Sequence, residues 1–100
     1  MHAFQIHLGL MRAHSRGSIQ LRDADPLSPP KIQVNYLNDP RDREVMRTGI
    51  GLVRELVRQP AMAELCGTEI FPGERVRSSH ELDETLTAEV TTQWHLSGTA

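Results

Sequence analysis

A histidine beside a tryptophan and ahead of a turn of small residues is the pattern in this sequence best suited to chemistry. His95 follows Trp94 and precedes the run Ser97-Gly98-Thr99. An imidazole works as a general base or hydrogen-bond donor near neutral pH. Gly98 permits a sharp bend that would hold the ring at the edge of a pocket, with Trp94 as an apolar wall. Local sequence leaves a second interpretation open, in which His95 interacts with the carboxyl end of a helix dipole.

Other patterns that carry chemistry are absent from the sequence. No two histidines are spaced i, i+4, and no group of cysteines and carboxylates has ligand spacing, so we expect no metal site. Gly49-x-Gly51 follows no strand and lacks the third glycine of a dinucleotide loop. No serine lies in a Gly-x-Ser-x-Gly elbow. Cys66 is the only cysteine, which excludes an internal disulfide and favours a reducing compartment.

Composition indicates a single domain with a modest aliphatic core. The chain has 100 residues, of which 38% are apolar and 4% aromatic. Eleven basic and thirteen acidic residues are interspersed and give a net charge of −2, so we expect no nucleic-acid partner. No apolar run is long enough for a membrane-spanning helix, and the N-terminal residues do not have the pattern of a signal peptide.

Alternating apolar residues predict short strands in the first third of the chain. Phe4, Ile6, Leu8 and Leu10 alternate with polar residues or glycine and predict a strand over about 3–12. A second strand is predicted at about 18–22, antiparallel to the first and joined to it by a tight connection. A third alternating run at about 32–36 is either a strand or an extended packing segment.

Two helices follow the strands. Asp39 is a predicted cap and Pro40 suits the first helical position, so a helix is expected over about 40–58, where two glycines would mark close approach of another backbone. A further turn is expected at 61–65, and a Ser78/Glu81 capping box begins a helix over about 79–92. We interpret the carboxylates of 39–44 and 81–89 as caps and solvated faces.

Strands followed by helices predict an α+β fold. An isolated sheet of two or three strands is marginally stable and has exposed edges. We therefore expect the chain to be part of a larger protein, and we expect self-association through those edges when it is alone.

A series of short motifs follows in a specific order along the chain. In chain order they are Met11-Arg12, Ser15-Arg16-Gly17-Ser18, Ala24-Asp25-Pro26, Pro30-x-Ile32, Asn35-Tyr36-Leu37, Asp39, Arg54-Glu55-Leu56, Gln59-Pro60-Ala61, Glu69-Ile70, Pro72-Gly73, Ser78–Leu82 and Trp94–Thr99. Each motif is weak by itself, but together their order and spacing resemble the C-terminal region of the glucose–methanol–choline (GMC) flavoprotein oxidoreductases. Bacterial choline dehydrogenases and related alcohol dehydrogenases form the nearest branch, and the resemblance covers essentially the whole chain.

The resemblance implies an alcohol oxidation in which hydride passes to N5 of FAD and His95 takes the hydroxyl proton. It implies that Trp94 and Gln93 approach the small alcohol substrate, and that cofactor contacts come at most from Ser97-Gly98-Thr99. The rest of the enzyme would supply the FAD-binding domain, which this segment lacks, because the family's Gly-x-Gly-x-x-Gly motif is not in it. We expect a bacterial protein, cytoplasmic or peripheral at the inner membrane.

Several departures from the family pattern reinforce the expectation that the segment is inactive by itself. Leu96 stands where the family usually has proline, so the backbone after His95 is less restricted. The family's Met-Gly after the Gly-Thr turn and its second, downstream His or Asn are absent. Two alternatives remain open at this stage: a free-standing module that binds a partner through an unpaired strand edge, and a truncated product without activity.

Overall fold

The computed structural model of the chain describes residues 2–92 and 94 and confirms an α+β arrangement. Two three-residue strands, β1 (Ser18–Gln20) and β2 (Lys31–Gln33), precede the helices. The helices are α1 (Pro40–Val57), α2 (Pro60–Ala63) and α3 (Ser79–Glu89). The predicted further turn at 61–65 therefore begins one residue earlier, at the proline that supplies a helical φ.

The two strands form an antiparallel ribbon, but the pairing differs from the predicted one. β1 pairs with β2, with Ser18 opposite Gln33 and Ile19 opposite Ile32. The expected partner of β1 was the segment 3–12. The third run is a strand only at its start, because Asn35 (φ 51°) and Leu37 (φ 56°) take left-handed backbone conformations that no strand accommodates.

The predicted strand over 3–12 is absent from the structure. Residues 2–10 belong to no helix, strand, turn or bend, and the chain bends at Met11 and Arg12. A strand exists only through its ladder to a neighbour, and among the described residues no main chain pairs with this segment. The alternation that predicted the strand is present in the sequence, but the described residues do not pair with it.

Helix α1 begins as predicted and is the longest element. The Arg41 N–H donates to the Asp39 side chain at 2.9 Å, and Pro40 occupies the first turn. The glycines were expected to admit another backbone, and the structure corrects this. A Cβ on Gly49 would lie 3.4 Å from the Leu8 side chain, and one on Gly51 would meet nothing within 4 Å.

Helix α3 has the predicted capping box but is shorter than the predicted 79–92. The Glu81 N–H donates to Ser78 Oγ at 3.2 Å, and the Ser78 N–H donates to the Glu81 carboxylate at 3.0 Å. The helix ends at Glu89, because Val90 has an extended backbone (ψ 129°). The run Val90-Thr91-Thr92 is β-branched throughout, and such residues lose side-chain freedom in a helix.

The fully buried side chain of Asp42 ties the segment before β1 to the start of α1. Its carboxylate accepts from the His14 N–H (2.8 Å), from the Ser15 N–H (2.7 Å) and from the Ser15 hydroxyl. The Asp39 N–H in turn donates to Ser15 Oγ at 2.9 Å. Burial would raise the pKa of the Asp42 carboxyl, but these hydrogen bonds outweigh it and hold the pKa below its ordinary value. The expectation that this carboxylate lies on a solvated face is therefore wrong, because Asp42 is buried.

Apolar burial is sparse in this fold. Leu37 and Leu82 are the only apolar side chains that are buried among the described residues. The molecule measures 59 × 29 × 21 Å, and its radius of gyration is 17.4 Å, whereas a compact domain of this length has about 13 Å. Hydrogen bonds and ion pairs to α1 therefore stabilise much of the tertiary structure.

We predict that Asp42→Asn destabilises the chain by about 1–3 kcal/mol at pH 7, because the amide nitrogen cannot accept the hydrogen bonds that the second oxygen receives. Because the folded-state pKa of Asp42 lies below its unfolded value, the stabilisation is present above about pH 4 and is lost as the pH falls through the folded-state pKa. The difference between wild type and variant should therefore narrow in acid. Urea unfolding followed by circular dichroism from pH 7 to pH 3 measures it.

Glu44→Gln is the matched control, since it removes one exposed carboxylate from the same end of α1. We expect a change below about 0.5 kcal/mol for this surface substitution. Equal destabilisation by the two variants, or a difference independent of pH, would contradict the role given to Asp42.

Candidate functional site

The segment that follows α3 carries the residues expected to do chemistry. After α3 the backbone is extended at Val90, and the Trp94 N–H donates to Thr92 Oγ1 at 2.9 Å. Trp94 has a left-handed backbone (φ 66°), so the chain turns sharply at this residue. The turn therefore comes directly before His95.

The structure places one of the predicted site residues. Trp94 is 87% exposed, so its indole does not form the side of a pocket within the part of the chain that the structure describes. The predicted catalytic His95, the neighbouring Gln93 and the run Ser97-Gly98-Thr99 lie outside the described residues. Their roles stay predictions.

Helix α3 packs against α1, and this packing sets where the segment after α3 begins. Leu82 is the one buried residue of α3. Arg47 Nη1 lies 2.6 Å from Asp83 Oδ1, and Arg43 Nε lies 3.8 Å from Asp83 Oδ2. These pairs are partly shielded from water, which makes them stronger than fully exposed ones.

The densest polar cluster of the described residues surrounds Arg54 on α1. Its guanidinium makes a bidentate pair with Glu69, with both N–O distances 2.9 Å. It also donates to the carbonyl oxygens of Val76 (2.9 Å) and Gly73 (3.0 Å), while the Gly73 N–H donates to Glu69 at 3.2 Å. The Glu69 hydrogen bonds raise the pKa of Arg54. This cluster fastens the irregular segment 66–77 to the helix.

A cleft of about 220 Å³ lies beside this cluster, lined by Gly51, Arg54, Glu55, Arg58, Glu69, Glu74 and Arg77. Arginine and glutamate alternate around it, and the Arg54–Glu69 pair satisfies its most sheltered charges. A flavin site needs apolar walls and free donors for the isoalloxazine and the phosphates. Every buried side-chain polar atom among the described residues already has a partner. The cleft is lined by charged residues rather than by the apolar walls that an isoalloxazine needs.

Two of the other histidines, His80 and His14, lie on separate parts of the chain and make separate contacts. His80 is exposed, and its Nε2 lies 3.3 Å from Glu84. His14 engages Asp42 through its main chain rather than its ring. Over the described part of the chain, no three His, Cys, Asp or Glu side chains are arranged to hold a metal. Within the same residues, no helix combines the length and apolarity that a membrane crossing needs.

Two polar anchors were missed by sequence reasoning. Asp42 sits in the first turn of α1, where a carboxylate ordinarily favours the helix dipole from a solvated position, so its burial has no local signal. Arg54 and Glu69 are 15 residues apart and on different elements, so no helical spacing joins them. The sequence indicated their importance only through the motifs Arg54-Glu55-Leu56 and Glu69-Ile70, which match the family pattern.

A protein-family model described as GMC oxidoreductase matches residues 13–100. The match begins one residue before His14 and includes the Asp42 and Arg54 anchors and all of the predicted site residues.

Curated relatives match nearly the whole chain. An oxygen-dependent choline dehydrogenase of Vibrio vulnificus is 44% identical over 96 residues, which is 96% of this chain and 17% of the relative. Oxygen-dependent choline dehydrogenase 1 of Chromohalobacter salexigens is 42% identical over 97% of this chain and 17% of its own length. An oxygen-dependent choline dehydrogenase of Sinorhizobium fredii is 41% identical over 98% of this chain and 18% of its own length. The chain thus spans about a sixth of the length of these relatives.

We predict that Arg54→Lys releases the segment 66–77 from α1, because an ammonium cannot reproduce the bidentate fork and the two carbonyl contacts. Trypsin should then cleave after Arg75 and Arg77 about tenfold faster, which corresponds to a loss of about 1.4 kcal/mol in closing the segment. Mass spectrometry of the early fragments measures the rate at each site. Arg58→Lys, an exposed change at the cap residue that directly follows α1, should leave the rates unchanged. Equal cleavage in both variants would show that the Arg54 fork does not hold the segment.

Proposed function

Since this chain belongs to the GMC oxidoreductase family, we propose that it is part of the substrate domain of an FAD-dependent enzyme that oxidises the CH–OH group of a small, choline-like alcohol. The proposal depends on the family match over residues 13–100. It is supported by relatives named choline dehydrogenases, which align with nearly the whole chain. The chain supplies about a sixth of such an enzyme. The remainder supplies the FAD-binding domain.

We assign the proton transfer to His95. Oxidation of the alcohol carbon removes a proton from the hydroxyl and a hydride from the carbon, and the hydride leaves more readily as negative charge develops on the oxygen. A fixed imidazole near neutral pH accepts that proton or stabilises the developing alkoxide. Bound flavin supplies the hydride acceptor at N5. The left-handed backbone of Trp94 supports this assignment, because the chain changes direction at the residue that precedes His95.

We assign roles to the neighbouring residues from the same family resemblance. Trp94 would face the substrate alcohol, where its exposed indole meets a surface that the rest of the enzyme provides. Gln93 would lie beside it, and Ser97-Gly98-Thr99 would make any contact that this segment has with FAD. The proposed enzyme is bacterial and works in the cytoplasm or at the inner face of the inner membrane.

We predict that the isolated 100 residues do not bind FAD stoichiometrically and do not oxidise choline. The described residues have no buried side-chain donor without a partner, and the sequence has no dinucleotide loop. Titration of the chain with FAD, followed by flavin fluorescence and equilibrium dialysis, measures the binding. Tight binding at one FAD per chain would contradict the division of labour proposed between this segment and the rest of the enzyme.

We predict that His95→Ala lowers the turnover of the complete enzyme by about 10²-fold or more, the usual scale of general acid–base catalysis. A chimera in which these 100 residues replace the matching region of the Vibrio vulnificus relative provides a complete enzyme for the measurement. His80→Ala is the control, since that ring is exposed and lies on α3 rather than after it. Near-normal turnover of the His95 variant, with its flavin retained, would remove His95 from the mechanism.

A further inference from the structure

Trp94, in the segment that follows α3, has a backbone conformation that tryptophan seldom takes. Its φ of 66° lies in the left-handed region, where the Cβ atom of an ordinary residue crowds the neighbouring carbonyl oxygen. A bulky residue stays in that region only where its surroundings hold it. The indole provides no such restraint within the described residues, because it is 87% exposed. The restraint that the structure shows therefore acts on the main chain.

The hydroxyl of Thr92 supplies this restraint. Its Oγ1 accepts a hydrogen bond of 2.9 Å from the Trp94 N–H, two residues further along the chain. A threonine hydroxyl placed in this way imitates a main-chain carbonyl oxygen and closes a local turn. Thr92 is half-buried, so water competes less for this hydroxyl than for that of a fully exposed side chain. Among residues 2–92, no other group bonds to the Trp94 main chain.

The turn begins from a fixed position, because α3 is anchored close to it. The helix ends with a hydrogen bond of 2.9 Å from the Val90 N–H to the Leu86 carbonyl oxygen. An ion pair with an N–O distance of 2.6 Å joins Asp83 of the same helix to Arg47 of α1. Thr92 is the third residue after α3, and all three of these residues are β-branched, which restricts their side-chain rotation. A short and stiff connection therefore transmits the position of α3 to the turn.

We propose that Thr92 is a positioning residue for the alcohol oxidation: its hydroxyl holds the turn at Trp94 and so fixes the direction in which the chain reaches His95. The inference rests on the proposed function, in which His95 takes the hydroxyl proton of the alcohol. A general base acts within hydrogen-bond reach of the proton that it accepts, and an error of about 1 Å in its position lowers the rate steeply. In this role Thr92 acts through the main chain and needs no contact with the alcohol or the flavin.

Three substitutions in the Vibrio vulnificus chimera separate the hydroxyl of Thr92 from the rest of its side chain. Thr92→Val keeps the shape but removes the acceptor, and it should lower kcat about tenfold at an unchanged KM, since proton transfer suffers while substrate binding does not. Thr92→Ser keeps the hydroxyl and should recover most of the turnover. Thr91→Val makes the same change at an exposed neighbour and should leave kcat unchanged. Turnover is measured per bound flavin, so that a loss of folded enzyme does not count.

Hydrogen–deuterium exchange at the Trp94 amide of the same chimeras reports the turn independently of activity. The Trp94 N–H should exchange about tenfold faster in Thr92→Val than in the unsubstituted chimera or in Thr92→Ser, because its acceptor is lost. Normal turnover of Thr92→Val would overturn the proposal. A serine variant as slow as the valine variant would also overturn it, because turnover would then require the methyl group. A fall in kcat without faster exchange would do the same, since the hydroxyl would then act on something other than the turn.

The His95→Ala chimera distinguishes failure of this inference from failure of the proposed function. If His95→Ala loses turnover while Thr92→Val retains it, the catalytic assignment stands and the positioning role is overturned. If His95→Ala retains turnover, both are overturned. In the double variant no imidazole is left for the turn to position, so Thr92→Val should cause no loss beyond that of His95→Ala. A further loss of about tenfold in the double variant would contradict the proposal, because two independent effects add in free energy.

Discussion

The hydrogen bonding of one buried carboxylate, that of Asp42, determines how the first part of this chain meets the rest. A carboxylate without water around it is strongly unfavourable unless donors replace the lost hydration. Two main-chain N–H groups and the Ser15 hydroxyl supply those donors, and the same hydroxyl accepts from the Asp39 N–H at the start of α1. The interaction therefore joins a helix N-terminus, its cap and the chain leading into β1. Two side chains, those of Asp42 and Ser15, must be present for the joint to form, because the other donors are main-chain N–H groups.

Helix α1 anchors three other segments. Arg47 binds Asp83 of α3, Arg54 binds Glu69 of the irregular segment 66–77, and the Leu8 side chain lies beside Gly49. Only two apolar side chains are buried among the described residues, so the ion pairs and hydrogen bonds to α1 take the place of the larger core that most domains of this length have. Polar joints have directional requirements, so they define geometry well even where they add little net free energy. A segment built in this way keeps its shape while leaving apolar surface for the remainder of an enzyme.

The elements whose signals are local were predictable from sequence. The Asp39 cap with Pro40, and the Ser78/Glu81 box, gave both helix starts, because capping depends on residues within one turn. The end of α3 was missed by three residues, since a β-branched run weakens a helix without a sharp stop signal. Strand pairing was wrong for a different reason: alternation shows that a segment suits a sheet, but not which neighbour it has. The turn at Trp94 had no warning in the sequence, because tryptophan seldom takes a left-handed backbone.

Leu37 combines two properties that usually exclude each other. It is one of the two buried apolar residues, yet its backbone has φ 56°, a conformation that disfavours a side chain by about 1–2 kcal/mol. Burial of a leucine contributes about 1.5–3 kcal/mol, so the two effects nearly offset each other. Its carbonyl oxygen also accepts from Arg43 Nη1 at 2.7 Å, which ties the unusual backbone to α1. Replacement of Leu37 by glycine should therefore cost little, because it relaxes the main chain as it empties the interior, whereas bulkier or β-branched replacements would lose on both counts.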